Sequence, residues 1–448
     1  MIIRRACWVA VVVMTVCGFV QALERQPLGD YRTRRVALAG KIPNGIAVLF
    51  AAEEPVLDFM PYRQDSDFYY LTGSTEPGGA LMVVPATAAE GDRAAQPYRE
   101  ILFLPTRNLR TEKYTGAKMD AATPDVAAVT GFDEVLPMTE MPAILNKLAV
   151  ADRRRLQHVW AEKGSQQTEA LMGFTAASLG VSGLATPADV AQKVMLLRAV
   201  KSAPEVELLK KASNASIAAQ FAEMKAVKPG VTEGAVAGVI VSKLLEEGCE
   251  RVSYAPIVGS GKNSTTLHYS ENAATMKADD VVVIDAAGEY SMYASDITRT
   301  LPIGGHFTAR QREIYDIVLG AQRAAAAAFV AGKSKINDPT HKEPDSLDQV
   351  AFDYVNAHGK DMHGQPLGQY MVHGLGHLVG IDVHDPWDYS KPLEKGMVFT
   401  IEPGIYLPEE GIGVRIEDVF YVDPDDKLVD LIANLPHEAA DVEAAMRQ

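Results

Sequence analysis

Two stretches of the chain, about 120 residues apart, share one pattern: an apolar run ends in an acid, the chain turns, and the return carries a second acid. In Val281-Val-Val-Ile-Asp285-Ala-Ala-Gly288 the continuous apolar run reads as a buried strand. A carboxylate at its end does not stay buried without a partner. With Gly288 opening a hairpin, the return through Tyr293-Ala-Ser-Asp296-Ile-Thr is expected to set Asp296 opposite Asp285 on one face, with Cβ atoms about 5 Å apart. The second copy runs Gly396-Met-Val-Phe-Thr-Ile-Glu402-Pro-Gly404, then Gly411-Ile-Gly-Val-Arg415-Ile-Glu417-Asp-Val. There Glu402 ends one strand and Glu417 lies in its antiparallel return. Two such hairpins imply an internal pseudo-twofold repeat with four carboxylates between the halves. Like charges so placed repel unless cations lie among them, and two divalent ions balance them formally.

The 448 residues, 47% apolar and 23% charged, make a globular chain long enough for two or three domains. Asp plus Glu number 58 against 43 Lys plus Arg, and the net charge of -15 argues against nucleic acid as a partner. Arg4 and Arg5 precede an apolar run from Ala6 to Val20, and Val20-Gln21-Ala22 offers small residues where a signal peptidase reads. Residues 1–22 therefore read as a signal peptide, and the protein as exported to a bacterial periplasm or secreted. The run is short for a span of about 20 residues, so no membrane association is expected after cleavage. Cys7 and Cys17 would leave with the signal. Cys249, the remaining thiol, reads as a small buried residue at the end of a helix-like stretch over Val241–Glu247.

Between Asn44 and Pro105, Ile46–Phe50, Asp67–Leu71, Ala80–Val84 and Ile101–Leu104 read as strands bounded by Gly, Pro and polar residues. Helical stretches over Pro142–Val150 and Gln166–Ala177 complete a mixed α/β domain. Near Ala185–Lys211 the pattern changes to long helix, with Pro204 in a first turn, and this marks a domain boundary. The chain then reads as helix to Gly248, broken at Pro229-Gly230. Beyond Tyr254 it reads as buried strands alternating with glycine turns.

Four of the ten histidines fall in Leu267-His268-Tyr269, His373-Gly-Leu-Gly-His377 and Asp382-Val-His384-Asp385. A spacing of four sets His373 and His377 on one helix face, but Gly374 and Gly376 make a glycine-rich turn an equal alternative. Singly, each residue has an ordinary structural reading: Asp285 as a strand-end cap, Glu402 and Glu417 as surface acids, His268 as a core histidine. Their conjunction points to chemistry.

These segments, with Ile284-Asp285-Ala286, Ala294-Ser-Asp296-Ile-Thr-Arg299-Thr, Val383-His384-Asp385, Ile401-Glu402-Pro-Gly404 and Gly413-Val-Arg415-Ile-Glu417-Asp418, resemble the pita-bread metallopeptidases. The resemblance is closest to the Xaa-Pro aminopeptidases (aminopeptidase P) and prolidases, and spans about Arg198 to Val422. Tyr62-Arg-Gln-Asp-Ser-Asp67-Phe-Tyr-Tyr-Leu-Thr-Gly73 resembles the creatinase/prolidase-type N-terminal domain of the same enzymes. The resemblance implies an α/β protein with a smaller N-terminal domain over residues 27–196. A pita-bread catalytic domain with a pseudo-twofold repeat is expected over residues 197–445.

It further implies that Asp285, Asp296, His377, Glu402 and Glu417 ligate two divalent metal ions, Asp296 and Glu417 bridging both. Oxygen-rich ligation with one imidazole suits Mn²⁺, and residue types alone leave Co²⁺, Zn²⁺ and Fe²⁺ open. The implied reaction is hydrolysis of the Xaa-Pro bond at a peptide N-terminus by a metal-bridged hydroxide, with Glu402 as proton shuttle. His373 and His384 are expected at the scissile carbonyl and its oxyanion, His268 at the proline subsite, and Arg415 beside a ligand or the carboxylates. Substrates would be peptides with proline second. The resemblance also implies a homo-oligomer in which one subunit's N-terminal domain borders another's cleft. A prolidase restricted to dipeptides is the nearest alternative, and a metal-free creatinase-type hydrolase or a catalytically silent peptide-binding protein stand further off. Two local features depart from the family pattern: Ala324–Asp348 lacks its proline-glycine turn, and the loop between Glu402 and Glu417 is short.

Overall fold

The computed structural model describes residues 23–42, 45–54, 62–89, 91, 94–151, 158–161, 166–167, 169–171, 188–338 and 340–447. The proposed signal segment lies outside them. Among the described residues no helix is long and apolar enough to cross a membrane.

The N-terminal domain is built on six strands, β1 (Gly45–Phe50), β2 (Ala80–Val84), β3 (Arg99–Leu104), β4 (Glu134–Pro137), β5 (His158–Ala161) and β6 (Ala188–Asp189). They form one mixed sheet in the order β4-β3-β2-β1-β5-β6. Alternation along β1 sends Ala47 and Leu49 to one face, with Leu38 and Phe68, and Ile46 and Val48 to the other, with Met82 and Leu145. Helices therefore cover both faces, Leu28–Lys41 on one and Met141–Ala151 on the other. The expected helix over Gln166–Ala177 is helical at 166–167 and 169–171, and its remainder lies outside the described residues.

The expected strand Asp67–Leu71 is instead part of a helix, Ser66–Thr72. Its aromatic run has strand propensity, but the Asp65 side chain accepts the Phe68 N–H at 2.7 Å and caps the N-terminus. Gly73, at φ 63°, closes the C-terminus in the left-handed region. Local capping overrides propensity here.

The C-terminal domain opens with helices Ala203–Ala226 and Glu233–Glu246, the first carrying a Ser202/Glu205 capping box. A second helix pair, Ala309–Ala328 and Leu347–His358, follows the first hairpin and corrects the reading of strands and turns alone beyond Tyr254. Thr308 and Gln311 form its capping box, and Ile314, Val318, Ala321 and Ala325 bury one face at helical spacing. Each half of the domain thus has two helices outside and a hairpin inside.

The strands of this domain are β7 (Arg251–Val252), β8 (Ile257–Ser260), β9 (Val281–Asp285), β10 (Gly288–Tyr290), β11 (Tyr293–Ala294), β12 (Thr298–Pro302), β13 (Val398–Ile401), β14 (Gly404–Leu407), β15 (Ile412–Arg415), β16 (Asp418–Val422) and β17 (Leu428–Asp430). The first hairpin pairs β9 with β12 up to Asp285↔Thr298, stops, and resumes as β10 with β11 at Glu289↔Ala294. Across the gap Ala286 N–H donates to Ile297 O and Ser295 N–H to Gly288 O, both at 3.1 Å, so the register continues unchanged. Asp285 faces Thr298 and Asp296 falls opposite Ala287, which corrects the expected Asp285–Asp296 pairing. The two acids share a face but lie on a diagonal.

The second hairpin is interrupted at the equivalent place. Pairing of β13 with β16 ends at Ile401↔Asp418 and resumes in β14 and β15 at Gly404↔Arg415, which sets Glu402 directly opposite Glu417. One glutamine from each helix pair braces each gap. Gln220 Nε2 donates to Ala286 O (3.2 Å) and Ile297 O (3.4 Å), and Gln322 Nε2 to Ile401 O (3.1 Å) and Ile416 O (3.4 Å). The hairpins meet where Glu417 N–H donates to Thr298 O at 3.1 Å, and Thr300 Oγ1 both donates to Arg415 O and accepts Arg415 N–H at 3.0 Å.

Cys249 is buried and free, and burial, with Glu250 and Glu289 nearby, pushes its thiol up to about 12. That agrees with a packing role.

Candidate metal centre

The two ladder gaps aim their acids into one cleft. Ligand atoms of Asp285, Asp296 and Glu417 lie within 4.8 Å of one another, as do those of His377, Glu402 and Glu417, and of Asp296, His377 and His384. Six residues therefore converge, with Asp296, His377 and Glu417 each common to two of the groups. Asp285, Asp296, His377 and Glu417 are buried, and Glu402 nearly so.

Little within the protein neutralises these acids. Arg415 Nη2 donates to Asp285 Oδ2 at 2.5 Å, and Thr298 Oγ1 donates to Glu417 Oε2 at 2.6 Å. The Tyr254 hydroxyl reaches both Asp285 Oδ1 and Asp296 Oδ1, the latter at 2.6 Å. One hydroxyl hydrogen serves one carboxylate at a time, so a further proton or cation belongs between them. Burial pushes the Glu402 carboxyl up to about 7, and burial with Asp296, Glu402 and Asp285 lifts Glu417 well above the carboxylate range. Asp285 is also raised by burial, against the pull of Arg415. Four carboxylates against the Arg415 guanidinium and the His377 imidazolium leave a deficit of positive charge, and the hard oxygen donors with one imidazole fit divalent ions.

His377 is prepared as a ligand. Its Nδ1 donates to Leu378 O at 3.1 Å, which points Nε2 at Asp296 Oδ2 (3.3 Å) and Glu402 Oε1 (3.4 Å). Burial opposes the imidazolium, but the two carboxylates hold its pKa up at about 9. The His373–His377 segment is coil rather than helix. Gly376 is required there because a Cβ would meet Thr400 O at 2.1 Å. Asn337 fixes the turn, Nδ2 donating to Gly376 O at 2.7 Å and Oδ1 accepting Gly376 N–H at 3.2 Å.

The remaining histidines line the same cleft of about 310 Å³ with Arg415. Both His373 nitrogens are engaged, Nδ1 with Gly374 O and Nε2 with Tyr406 OH, each at 2.8 Å. Arg415 Nη1 donates to the Tyr406 oxygen at 2.9 Å, so the Tyr406 hydroxyl hydrogen goes to His373 Nε2. Burial and Arg415 together push His373 down to about 4, so it is neutral. The His384 ring stacks on His377, centroids 3.8 Å apart, and among the described residues no hydrogen bond occupies its nitrogens. His268 is exposed at the mouth of the cleft.

The turn carrying His384 is clamped at the junction with the N-terminal domain. Arg198 donates to Asp67 Oδ1 at 2.7 Å, Asp382 Oδ2 at 2.6 Å and Asp385 Oδ1 at 2.5 Å, and Lys201 Nζ donates to Asp385 Oδ2 at 3.0 Å. Arg63 adds contacts to Glu289 and Ile381 O. The Tyr62–Gly73 motif thus serves docking, and through Arg198 it bears on the residue adjoining His384.

Comparison with known proteins identifies the family of this chain. The model for metallopeptidase family M24 matches residues 207–424, and that for the aminopeptidase P N-terminal domain matches residues 31–157. The Xaa-Pro aminopeptidase of Escherichia coli strain K12 is 33% identical over 425 residues, covering 87% of this chain and 91% of its own. The solved structure of proline aminopeptidase P II from Yersinia pestis superposes with a TM-score of 0.79 at 30% identity, covering 94% of this chain and all of that one. A zinc-substituted E. coli aminopeptidase P in complex with product gives 0.81 at 29% identity, covering 95% and 99%. This chain belongs to metallopeptidase family M24. It is a metallo-exopeptidase of the Xaa-Pro aminopeptidase branch, with the pita-bread fold.

Sequence reasoning missed several supports of this M24 centre. Tyr254, Tyr406 and Asn337 belong to no repeated pattern, and Gln220 and Gln322 read as ordinary helix residues. A polar residue amid the buried helix face Val318, Leu319, Ala321 and Ala325 was the available signal for Gln322.

Two outcomes follow from the site's electrostatics and its clamp. Folding raises the pKa of Glu402 from 4.5 to about 7 and of His377 from 6.5 to about 9. The stability these protons contribute is complete below the unfolded values and is lost as pH rises through the folded ones. Chelator-treated protein is therefore expected to melt at falling temperature from pH 5 to 9, while saturating Mn²⁺, which binds deprotonated ligands, stabilises it increasingly over that range. Parallel melting curves with and without Mn²⁺ would remove these residues from the ligand set. Asp67→Asn, which loosens Arg198 from the N-terminal side, is expected to lower kcat roughly tenfold with bound metal unchanged. Steady-state kinetics with metal analysis checks this, and unchanged kcat would confine the clamp to domain docking.

Proposed function

We propose that this protein removes the N-terminal residue from peptides whose second residue is proline, and that Asp285, Asp296, His377, Glu402 and Glu417 would hold the two divalent ions this chemistry requires. The observation that carries this reading is the convergence of four buried carboxylates and one oriented imidazole, with too little positive charge among them. Mn²⁺ is the ion best suited to four oxygen ligands and one nitrogen. Two such ions supply Lewis acidity and an activated water near neutral pH.

The chain's own residues do the rest. Glu402, at the edge of the cleft beside His377, is suited to take the proton of the attacking water and pass it to the proline nitrogen as the C–N bond breaks. His384, with free ring nitrogens, is placed to donate to the carbonyl oxygen as its charge develops. Arg415 and Tyr406 hold His373 in one tautomer and orientation at the carbonyl, and it serves as a donor there only by exchanging the Tyr406 or Gly374 bond. His268 at the cleft mouth borders the proline ring. Proline lacks an N–H and fixes φ, so extended-strand recognition fails and a shaped pocket must replace it.

Export rests on Arg4, Arg5 and the apolar run to Val20, and on Val20-Gln21-Ala22. An assembly of identical chains, with peptides and not nucleic acid as the partner, completes the reading.

The Mn²⁺-loaded protein is expected to cleave Ala-Pro-Ala-Ala after its first residue and to spare Ala-Ala-Ala-Ala, read by chromatography of the products. Cleavage of Ala-Pro alone would make it a prolidase, and no cleavage with two ions bound would favour a peptide-binding role. His384→Ala is expected to lower kcat by about 10²-fold with both ions retained, because an oxyanion donor is lost. Full activity in that variant would move the donor role to His373.

A further inference from the structure

A second cavity, of about 690 Å³, opens beside the catalytic cleft. Asn337, His373, Gly374 and Tyr389 line both, so the two spaces adjoin at the His373 turn. Lys335, Asp338, His341, Glu343 and Asp348 line the larger space alone. An aminopeptidase leaves a single residue on one side of the broken bond and the whole remaining peptide on the other. Only the leaving side needs a continuation of the cleft, and this cavity supplies one.

The wall has a definite charge. Asp338 accepts from Thr340 N–H (2.9 Å), Thr340 Oγ1 (2.6 Å), Lys342 N–H (2.5 Å) and Glu343 N–H (2.6 Å), which fixes it as an anion. Asp348 is 2% exposed, and its Oδ1 has no hydrogen-bond partner. Its other oxygen lies 3.1 Å from His341 Nδ1, whose ring stacks on Phe352. Lys335 is the one lysine of the wall, and Glu343 already takes it at 2.6 Å. Three acids against one paired lysine and one histidine leave the cavity anionic, with a buried carboxylate oxygen at its wall still lacking a donor.

We infer that the cavity walled by Asp338, Glu343 and Asp348 receives the peptide beyond the proline and favours a basic side chain at the third or fourth position of the substrate. This rests on the aminopeptidase reading above and adds a substrate preference to it. A lysine or arginine there would be attracted by the net negative charge of the wall, while an acidic side chain would meet like charge.

The test uses the full Mn²⁺-loaded protein and C-terminally amidated peptides, which keeps the terminal carboxylate out of the comparison. Ala-Pro-Lys-Ala and Ala-Pro-Ala-Lys are compared with their Glu counterparts and with Ala-Pro-Ala-Ala. The better Lys peptide is expected to exceed its Glu counterpart in kcat/KM by about tenfold, mostly through KM. Glu343→Gln should lower that ratio roughly threefold and Lys335→Met, which frees Glu343, should raise it roughly threefold. Equal rates for Lys and Glu peptides, or a ratio that neither variant moves, would overturn the inference while cleavage of Ala-Pro-Ala-Ala sustained the aminopeptidase. Failure to cleave any peptide longer than Ala-Pro would overturn both.

Discussion

Four carboxylates share one buried cleft with a single fixed guanidinium, and the rest of the C-terminal domain is arranged around that imbalance. Burying a charge is tolerated only when it is paired and hydrogen-bonded. The internal partners go part of the way: Arg415 to Asp285, Thr298 to Glu417, and Tyr254 between Asp285 and Asp296. What they leave over, with burial, raises the carboxyl groups of Glu402 and Glu417 above their ordinary range. The missing component is cationic, and the fold holds the acids in place for it.

That arrangement depends on backbone that stops pairing at two equivalent places. A continuous ladder would turn successive side chains alternately inward and outward at fixed spacing. Breaking it beyond Asp285 and beyond Ile401 frees the acids to turn toward the cleft, while Ala286, Ser295 and Ile416 keep the register across the breaks. The carbonyls exposed by the breaks would be costly if left alone in the core. Gln220 and Gln322 answer them from corresponding helices, and the likeness of the two braces is the clearest internal sign of the pseudo-twofold repeat.

The sequence carries the centre better than it carries the surroundings. Acids ending apolar strands are legible because a buried charge needs a reason, and the register of the second hairpin follows from its apolar spacing. The first hairpin could not be read as well. The tight turn lies at Ser291 and Met292, both at positive φ, rather than at Gly288, and the shift moves Asp296 onto a diagonal from Asp285. In the N-terminal domain the run Asp67–Leu71 has strand composition but is capped as a helix by Asp65 and Gly73. The Arg198 clamp joins residues 67, 198, 382 and 385, a contact set that no local pattern encodes.

The difference between the hairpins has a chemical consequence. Perfect twofold symmetry would make two equal cation positions. Because Asp285 and Asp296 lie on a diagonal and Glu402 and Glu417 face each other, the acids group unequally. Asp285, Asp296 and Glu417 offer oxygen alone, beside Arg415, whereas Glu402 and Glu417 share their side with the His377 imidazole. A cation at the first position would meet oxygen donors beside a guanidinium, and one at the second would meet an imidazole as well. A repeated hairpin thus yields unlike halves, with Asp285 beside Arg415 and Glu402 beside His377.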